Sequence, residues 1–400
     1  MAGRPRLYAS SEEGRHATWL ELFFDLVFVL AIAELARYLH NHLTVGGFLA
    51  FAFLFVPVWL VWSNFSYYAD LFDVDGPFYR VMMLVAMLLS IALAMNVYGA
   101  LDGGSAGFVA AYVALRVLLV GLYTWAWRYV EETRPLTTWH LTGFSTGALI
   151  WGASLLVPGP ARYWMWALGL LVEMATPVFA QILVLEEAPV QRSHLPERFG
   201  LFTIIVLGES IVVTGLGVAG TQWAVGSVVV AALGFAAVAS LWWLYFDHVL
   251  DESAVEHAYT NGVRELFVGF SWAYGHLAIY IGLAATAVGI EFAIGGAMDP
   301  ALGRGARAAL CGGVALYLVA VSVLHSLSPQ PFPRRASAAR LGVAAFAVVL
   351  ALVGSALSPP VLAGLLALAL VGLTFFEVGW VGRSNVAPRL PLPERKRKKW

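Results

Sequence analysis

Glu21 and Asp25 stand four residues apart in the run TWLELFFDLVFVLAIAELARYL, so on a helix both carboxylates share one face, which continues through Phe28, Val29 and Ile32. Two acids leading into an apolar constriction suit the entrance of a path for a proton or cation. The plainer alternatives are acids favoured by the dipole at a helix N-terminus, or acids paired with Arg80 and Arg264. Further ionisable residues lie deeper in apolar runs, where each costs roughly 2.5–3.5 kcal/mol and so needs a reason. Glu209 is flanked by Gly208 and Ser210, and the glycine permits close approach of another helix. A carboxylate in that position is protonated or paired. Glu173 precedes Pro177, whose ring frees a carbonyl inside its helix. His276 stands at mid-depth, where the ordinary role of a lone histidine is a hydrogen bond between helices. Arg116 requires an acidic partner, and Glu34 with Arg37 forms the simplest local pair.

Other chemistries find less support. Asp247, His248, Asp251, Glu252, Glu256 and His257 gather in one loop, but their spacing fits a solvated acidic segment better than a metal site. The single Cys311 excludes an internal disulfide and a thiolate metal cluster. No glycine-rich phosphate loop, GxSxG elbow or HExxH pair occurs. The expectation is therefore no catalytic residue, no metal, no cofactor and no nucleic-acid partner.

The elements that carry these residues follow from composition. Of 400 residues 60% are apolar and 12% charged, with mean hydropathy +0.77. Soluble domains carry roughly 25% charged residues. Continuous apolar runs near the length of a bilayer crossing predict membrane-spanning helices rather than barrel strands. Twelve are expected, near 19–39, 47–68, 78–100, 105–129, 136–157, 163–184, 198–218, 224–248, 264–292, 306–327, 340–357 and 360–381, the last two separated by little more than Ser358, Pro359 and Pro360. With the N-terminus inside, 19 Lys and Arg fall on the cytoplasmic side and 4 on the other, which puts both termini in the cytoplasm of a multi-pass plasma-membrane protein.

An internal repeat is legible as well. An offset of 176 pairs Glu21 with Glu197, and the acids Glu34 and Glu209 fall one residue out of that register. The second span ends VWSNFSYYAD and the eighth LWWLYFDHVLD, which pairs Trp62 with Trp243 and Phe65 with Phe246. Arg80 and Arg264 then open the next span of each half. The expected fold is all-α, with two parallel six-helix repeats over 1–195 and 196–382 and a basic cytoplasmic tail, 383–400, whose RKRKK rests on anionic headgroups.

Thr18 to Leu39 together with ERFGLFTIIVLGESIV (Glu197 to Val212) resembles the bacterial low temperature requirement A family, LtrA, over nearly the whole chain. That resemblance implies a multi-pass membrane protein and supplies no catalytic residues. FFDLVFVLAI (Phe23 to Ile32) also looks like the phenylalanine-serine-aspartate opening of the first helix in endolysosomal and bacterial cation channels built of six-helix units. Here Phe24 replaces the serine, and Leu201 stands where the second half would carry the aspartate.

The expected function is transport of a proton, small cation or small solute along a path lined by the first and seventh spans. Glu21, Asp25, Glu197, Glu209, Glu173 and His276 would line it, while Arg80, Arg264, Trp62, Trp243 and Arg116 orient or gate. The alternatives are a membrane-embedded enzyme acting on a lipid or quinone, and a scaffold or sensor without turnover. Self-association is left open.

Overall fold

The computed structural model describes residues 5–7, 17–184, 195–247, 263–327 and 333–384. Among them are twelve long helices: α1 (Trp19–Asn41), α2 (Val45–Leu71), α3 (Pro77–Met95), α4 (Ser105–Tyr129), α5 (Arg134–Ala153), α6 (Ala161–Leu183), α7 (Leu195–Gly220), α8 (Val225–Phe246), α9 (Val263–Gly295), α10 (Arg304–Leu327), α11 (Arg334–Val353) and α12 (Pro359–Ser384). Ten are long and apolar enough to cross a membrane. The other two are α1, which carries Glu21, Asp25, Glu34 and Arg37, and α5, which opens with the polar sequence RPLTTWHLT. Residues 385–400 of the basic tail and 248–262, with the loop's histidines and its acids after Asp247, lie outside the described residues, as does the side chain of Arg264.

Local signals explain where the helices begin. Thr18 caps α1 in a reciprocal box: Glu21 N donates to Thr18 Oγ1 at 3.3 Å, and Thr18 N donates to Glu21 Oε2 at 2.8 Å. Thr44 caps α2 by accepting from Gly47 N at 3.0 Å. Pro77 starts α3, where its missing N–H costs nothing. The third span stops at Met95, five residues before the expected end, because Asn96 to Leu101 closes into successive turns. Helices α5 and α11 each end in one 3-10 turn, Ser154–Leu156 and Gly354–Ala356, before a short link to the next helix.

Neighbour relations recur along the chain. Helix α1 packs on α2 and α3, α3 on α4, α4 on α5, and α5 on α6. Likewise α7 packs on α8 and α9, α9 on α10, α10 on α11, and α11 on α12. The two sets meet where α1 touches α7 and α9, and where α9 also reaches α2 and α6. Helices α9 and α10 are the most enclosed, and glycines let them approach. At the end where α1 begins, a short strand β1 (Arg6–Leu7) pairs antiparallel with β2 (Phe72–Asp73), and Arg6 Nε donates to Asp73 Oδ2 at 2.6 Å.

Candidate functional site at the α1–α7 seam

The capping box fixes Glu21, and one turn later Asp25 points the same way, into the seam with α7. There Arg198, the fourth residue of α7, meets both acids. Its Nη2 and Nε donate to Asp25 Oδ1 and Oδ2 at 2.5 and 3.1 Å, and its Nη1 lies 4.0 Å from Glu21 Oε1. From α2, Trp62 Nε1 donates to Asp25 Oδ1 at 2.8 Å. Asp25 is 2% exposed and Arg198 4%. With three donors converging on it, the Asp25 carboxylate is stabilised in place by ionic hydrogen bonds.

A cavity of about 330 Å³ opens there, lined by Glu21, Asp73, Asp75, Arg6, Phe72 and Tyr79 among others. Asp25 is not on its wall. Glu21 is the acid at the cavity, and Asp25 sits one turn behind it, enclosed by Arg198 and Trp62. Beyond the pair, rings close the seam. Trp62 packs on Phe202 at 4.2 Å and on Phe199 at 5.1 Å, and Phe28 faces Phe202 at 6.1 Å. The cluster thus sets the Glu21 carboxylate at the cavity, with the buried Asp25–Arg198 pair and an aromatic layer behind it.

The remaining candidates fall in different places. Glu173 is fully buried but belongs to another cluster, where it pairs with Arg116 Nη2 at 2.8 Å and accepts from Tyr112 Oη, itself an acceptor from Arg116 at 2.7 Å. Arg116 thus has the acidic partner its depth requires. His276 donates through Nδ1 to the Trp272 carbonyl at 2.7 Å, which leaves Nε2 to accept from Tyr245 Oη at 3.0 Å. It lies close to the seam, 4.9 Å from the Phe199 ring. Glu197 is half-buried next to Arg198. Glu209 is buried in the C-terminal half of α7, beyond the cluster. Arg80 is exposed and held by Asp75, its Nε 2.9 Å from Oδ1. Trp62 is fully buried while Trp243 is 45% exposed and bonds to Asp247, so the two tryptophans matched in sequence occupy unlike surroundings. Glu34 and Arg37 form the expected local pair.

Three residues of these buried pairs escaped sequence reasoning. Arg198 counted only as one more cytoplasmic charge, although its position three residues into the apolar α7, beside Glu197, was a usable signal. Arg340 and Glu377 form a second fully buried pair, with Nε 2.6 Å from Oε1, and His325 Nδ1 lies 2.6 Å from Arg340 Nη1. Neither showed a partner at helical spacing, so no local pattern could reveal it.

Breaking the Arg116–Glu173 pair tests its role. Glu173→Ala leaves a guanidinium buried without its counter-charge and is expected to destabilise the protein by about 3–5 kcal/mol. The double change Arg116→Met, Glu173→Leu should recover much of that loss. Thermal unfolding in detergent measures both, and equal stability of the single variant and the parent would refute a structural pair.

Ten apolar crossing helices around buried ion pairs define a multi-pass α-helical membrane protein. The model of the bacterial low temperature requirement A protein (LtrA) family matches residues 16–375, so the chain belongs to that family. It is 29% identical over 331 residues to an uncharacterized protein of Rhizobium meliloti (strain 1021), covering 79% of each chain. No solved structure matches it.

Proposed function

We propose that this LtrA-family protein moves a proton, small cation or small solute across the plasma membrane along the seam between α1 and α7. The observation that carries the reading is the buried Asp25–Arg198–Trp62 cluster where the two sets of helices meet, with Glu21 joining it to a 330 Å³ cavity. A purely structural acid would need one partner. Here a second acid of the same face, Glu21, lines the cavity. In this reading Glu21 draws the ion in, Asp25 and Arg198 form the charge gate, and the rings of Phe28, Trp62 and Phe202 form the constriction.

The chain is read as two parallel six-helix repeats, 1–195 and 196–382. Support comes from the matching order of helix neighbours in α1–α6 and α7–α12 and from the 3-10 turns that end α5 and α11. Both termini are placed in the cytoplasm by the 19-to-4 asymmetry of Lys and Arg. Reporter fusions at Gly103–Gly104 should lie outside and fusions after Lys399 inside; a C-terminus outside would overturn the arrangement.

The three buried pairs, Asp25–Arg198, Arg116–Glu173 and Arg340–Glu377, favour a second reading, a membrane scaffold without turnover. Flux separates the two. Purified protein in liposomes, tested over a panel of ions, is expected to conduct, and Glu21→Gln should cut the rate at low ion concentration by roughly tenfold. A unit charge at 4 Å is worth about 1 kcal/mol in water and about 4 kcal/mol in a partly buried site. Glu34→Gln, far from the cavity, should change little. If Glu21→Gln leaves every measured flux intact, the seam is not the path.

A further inference from the structure

We propose that Glu209, with Glu291 and His40 in front of it, forms a proton-binding site at the end of the bundle opposite the Glu21 cavity. The inference rests on the transport reading and names the ion handled at the second mouth. Glu209 is 9% exposed, and among the described residues it has no hydrogen bond and no ion pair; the charged group it feels is Glu291. Glu291 Oε2 lies 3.0 Å from His40 Nδ1, and the His40 ring packs on Phe292 at 4.5 Å. The side chains of His40 and Glu291 are 38% and 34% exposed, so these two are within reach of solvent while Glu209 stands behind them. Helix packing gives the depth. Gly217 of α7 lies against Ile294 of α9, where an added Cβ would fall 3.1 Å from its side chain. From that level Glu209 is about 7.5 Å deeper along the axis than Glu291, a five-residue difference at 1.5 Å each.

Charges on the surrounding helices are committed elsewhere. From α1, Arg37 is bound to Glu34 and lies 4.6 Å over the Tyr98 ring. From α10, Arg307 donates to the carbonyls of Ala351 and Leu302 at 2.8 and 3.0 Å, and Arg304 is exposed. Helix α8 carries no charged side chain, and the membrane-embedded part of α2 carries none before Asp70. His40 and Glu291 are therefore paired with each other, and Glu209 stands without a partner among the described residues. Hard metal cations take about six to eight oxygen ligands, and among the described residues no three His, Cys, Asp or Glu side chains are arranged to hold a metal. A proton needs one lone pair. Glu209 supplies it, and Glu291 and His40 supply the hydrogen-bonding steps toward solvent.

Dicyclohexylcarbodiimide, which attacks protonated carboxyl groups in apolar surroundings, reports on the site without requiring flux. In the full-length protein in liposomes, mass spectrometry is expected to find the adduct on Glu209 at mildly acid pH. Yield should fall roughly tenfold per pH unit once the midpoint is passed, and excess sodium or potassium should leave it unchanged. Glu291→Gln and His40→Asn should each shift that midpoint, since each alters the charge facing Glu209. Absence of the adduct in a folded protein, a yield indifferent to pH, or protection by sodium or potassium would overturn the proposal. Labelling with no measurable flux would uphold the site and remove the transport reading, whereas flux without labelling would do the reverse.

Discussion

Asp25→Asn should unfold the seam before it reveals anything about transport. Arg198 is buried with Asp25 as its close partner, and the exchange removes the charge while leaving the guanidinium in place. Breaking a buried pair from one side costs about 3–5 kcal/mol, because the remaining charge has lost its compensation. Glu21, 4.0 Å from Arg198 Nη1, is too far to replace the two short bonds. Asp25→Asn is therefore expected to lower the unfolding temperature in detergent sharply, and Arg198→Gln should do the same. Replacing both together, Asp25→Asn with Arg198→Gln, should restore most of the stability, since two neutral amides of similar size can bond to each other and to Trp62. A single variant as stable as the parent would mean the pair contributes no structure. Glu21→Gln is the cleaner probe of the path, because it leaves the Asp25–Arg198 bonds untouched.

Gly289→Leu and Gly313→Leu should be comparably damaging, for a steric reason. A Cβ added at Gly289 would fall 2.4 Å from Leu310 N and Cα, and one at Gly313 would fall 2.6 Å from the Gly282 carbonyl oxygen and 2.7 Å from Thr286 N. The obstructing atoms are backbone, so no rotamer change relieves the clash and α9 must separate from α10. Overpacking a tight contact commonly costs about 1–3 kcal/mol, and more where backbone must move. In lipid, close packing of small residues is itself a main source of helix association. Both variants are expected to lose folded protein on size-exclusion chromatography. Gly312→Ala, next to Gly313 but with nothing within 4 Å of its added Cβ, should be tolerated. If Gly289→Leu elutes and melts like the parent, the α9–α10 contact is looser than described.

Much of this protein is written in local pattern. Helix positions follow from apolar length because a bilayer leaves the backbone no other way to satisfy its hydrogen bonds. The cap at Thr18, the start at Pro77 and the local pair Glu34–Arg37 are likewise neighbours in sequence, and so could be read there. That Arg116 must meet an acid also followed, since an unpaired charge at that depth is too costly, but which acid did not. Glu173, Arg198 and Glu377 find their partners across 57, 173 and 37 residues, and no periodicity relates such positions. Their pairing is set by how helices lie side by side, which glycines such as Gly147 decide: a Cβ there would lie 2.6 Å from the Glu173 carboxylate. The same holds for exposure. Glu21 and Asp25 share one helix face and looked equivalent, yet Arg198 and Trp62, brought in by α7 and α2, enclose one and leave the other at the cavity. Sequence determined what must be buried and in which helices; only the packing of α1, α2 and α7 decided which acid keeps contact with water, because that depends on groups distant in the chain arriving at one point.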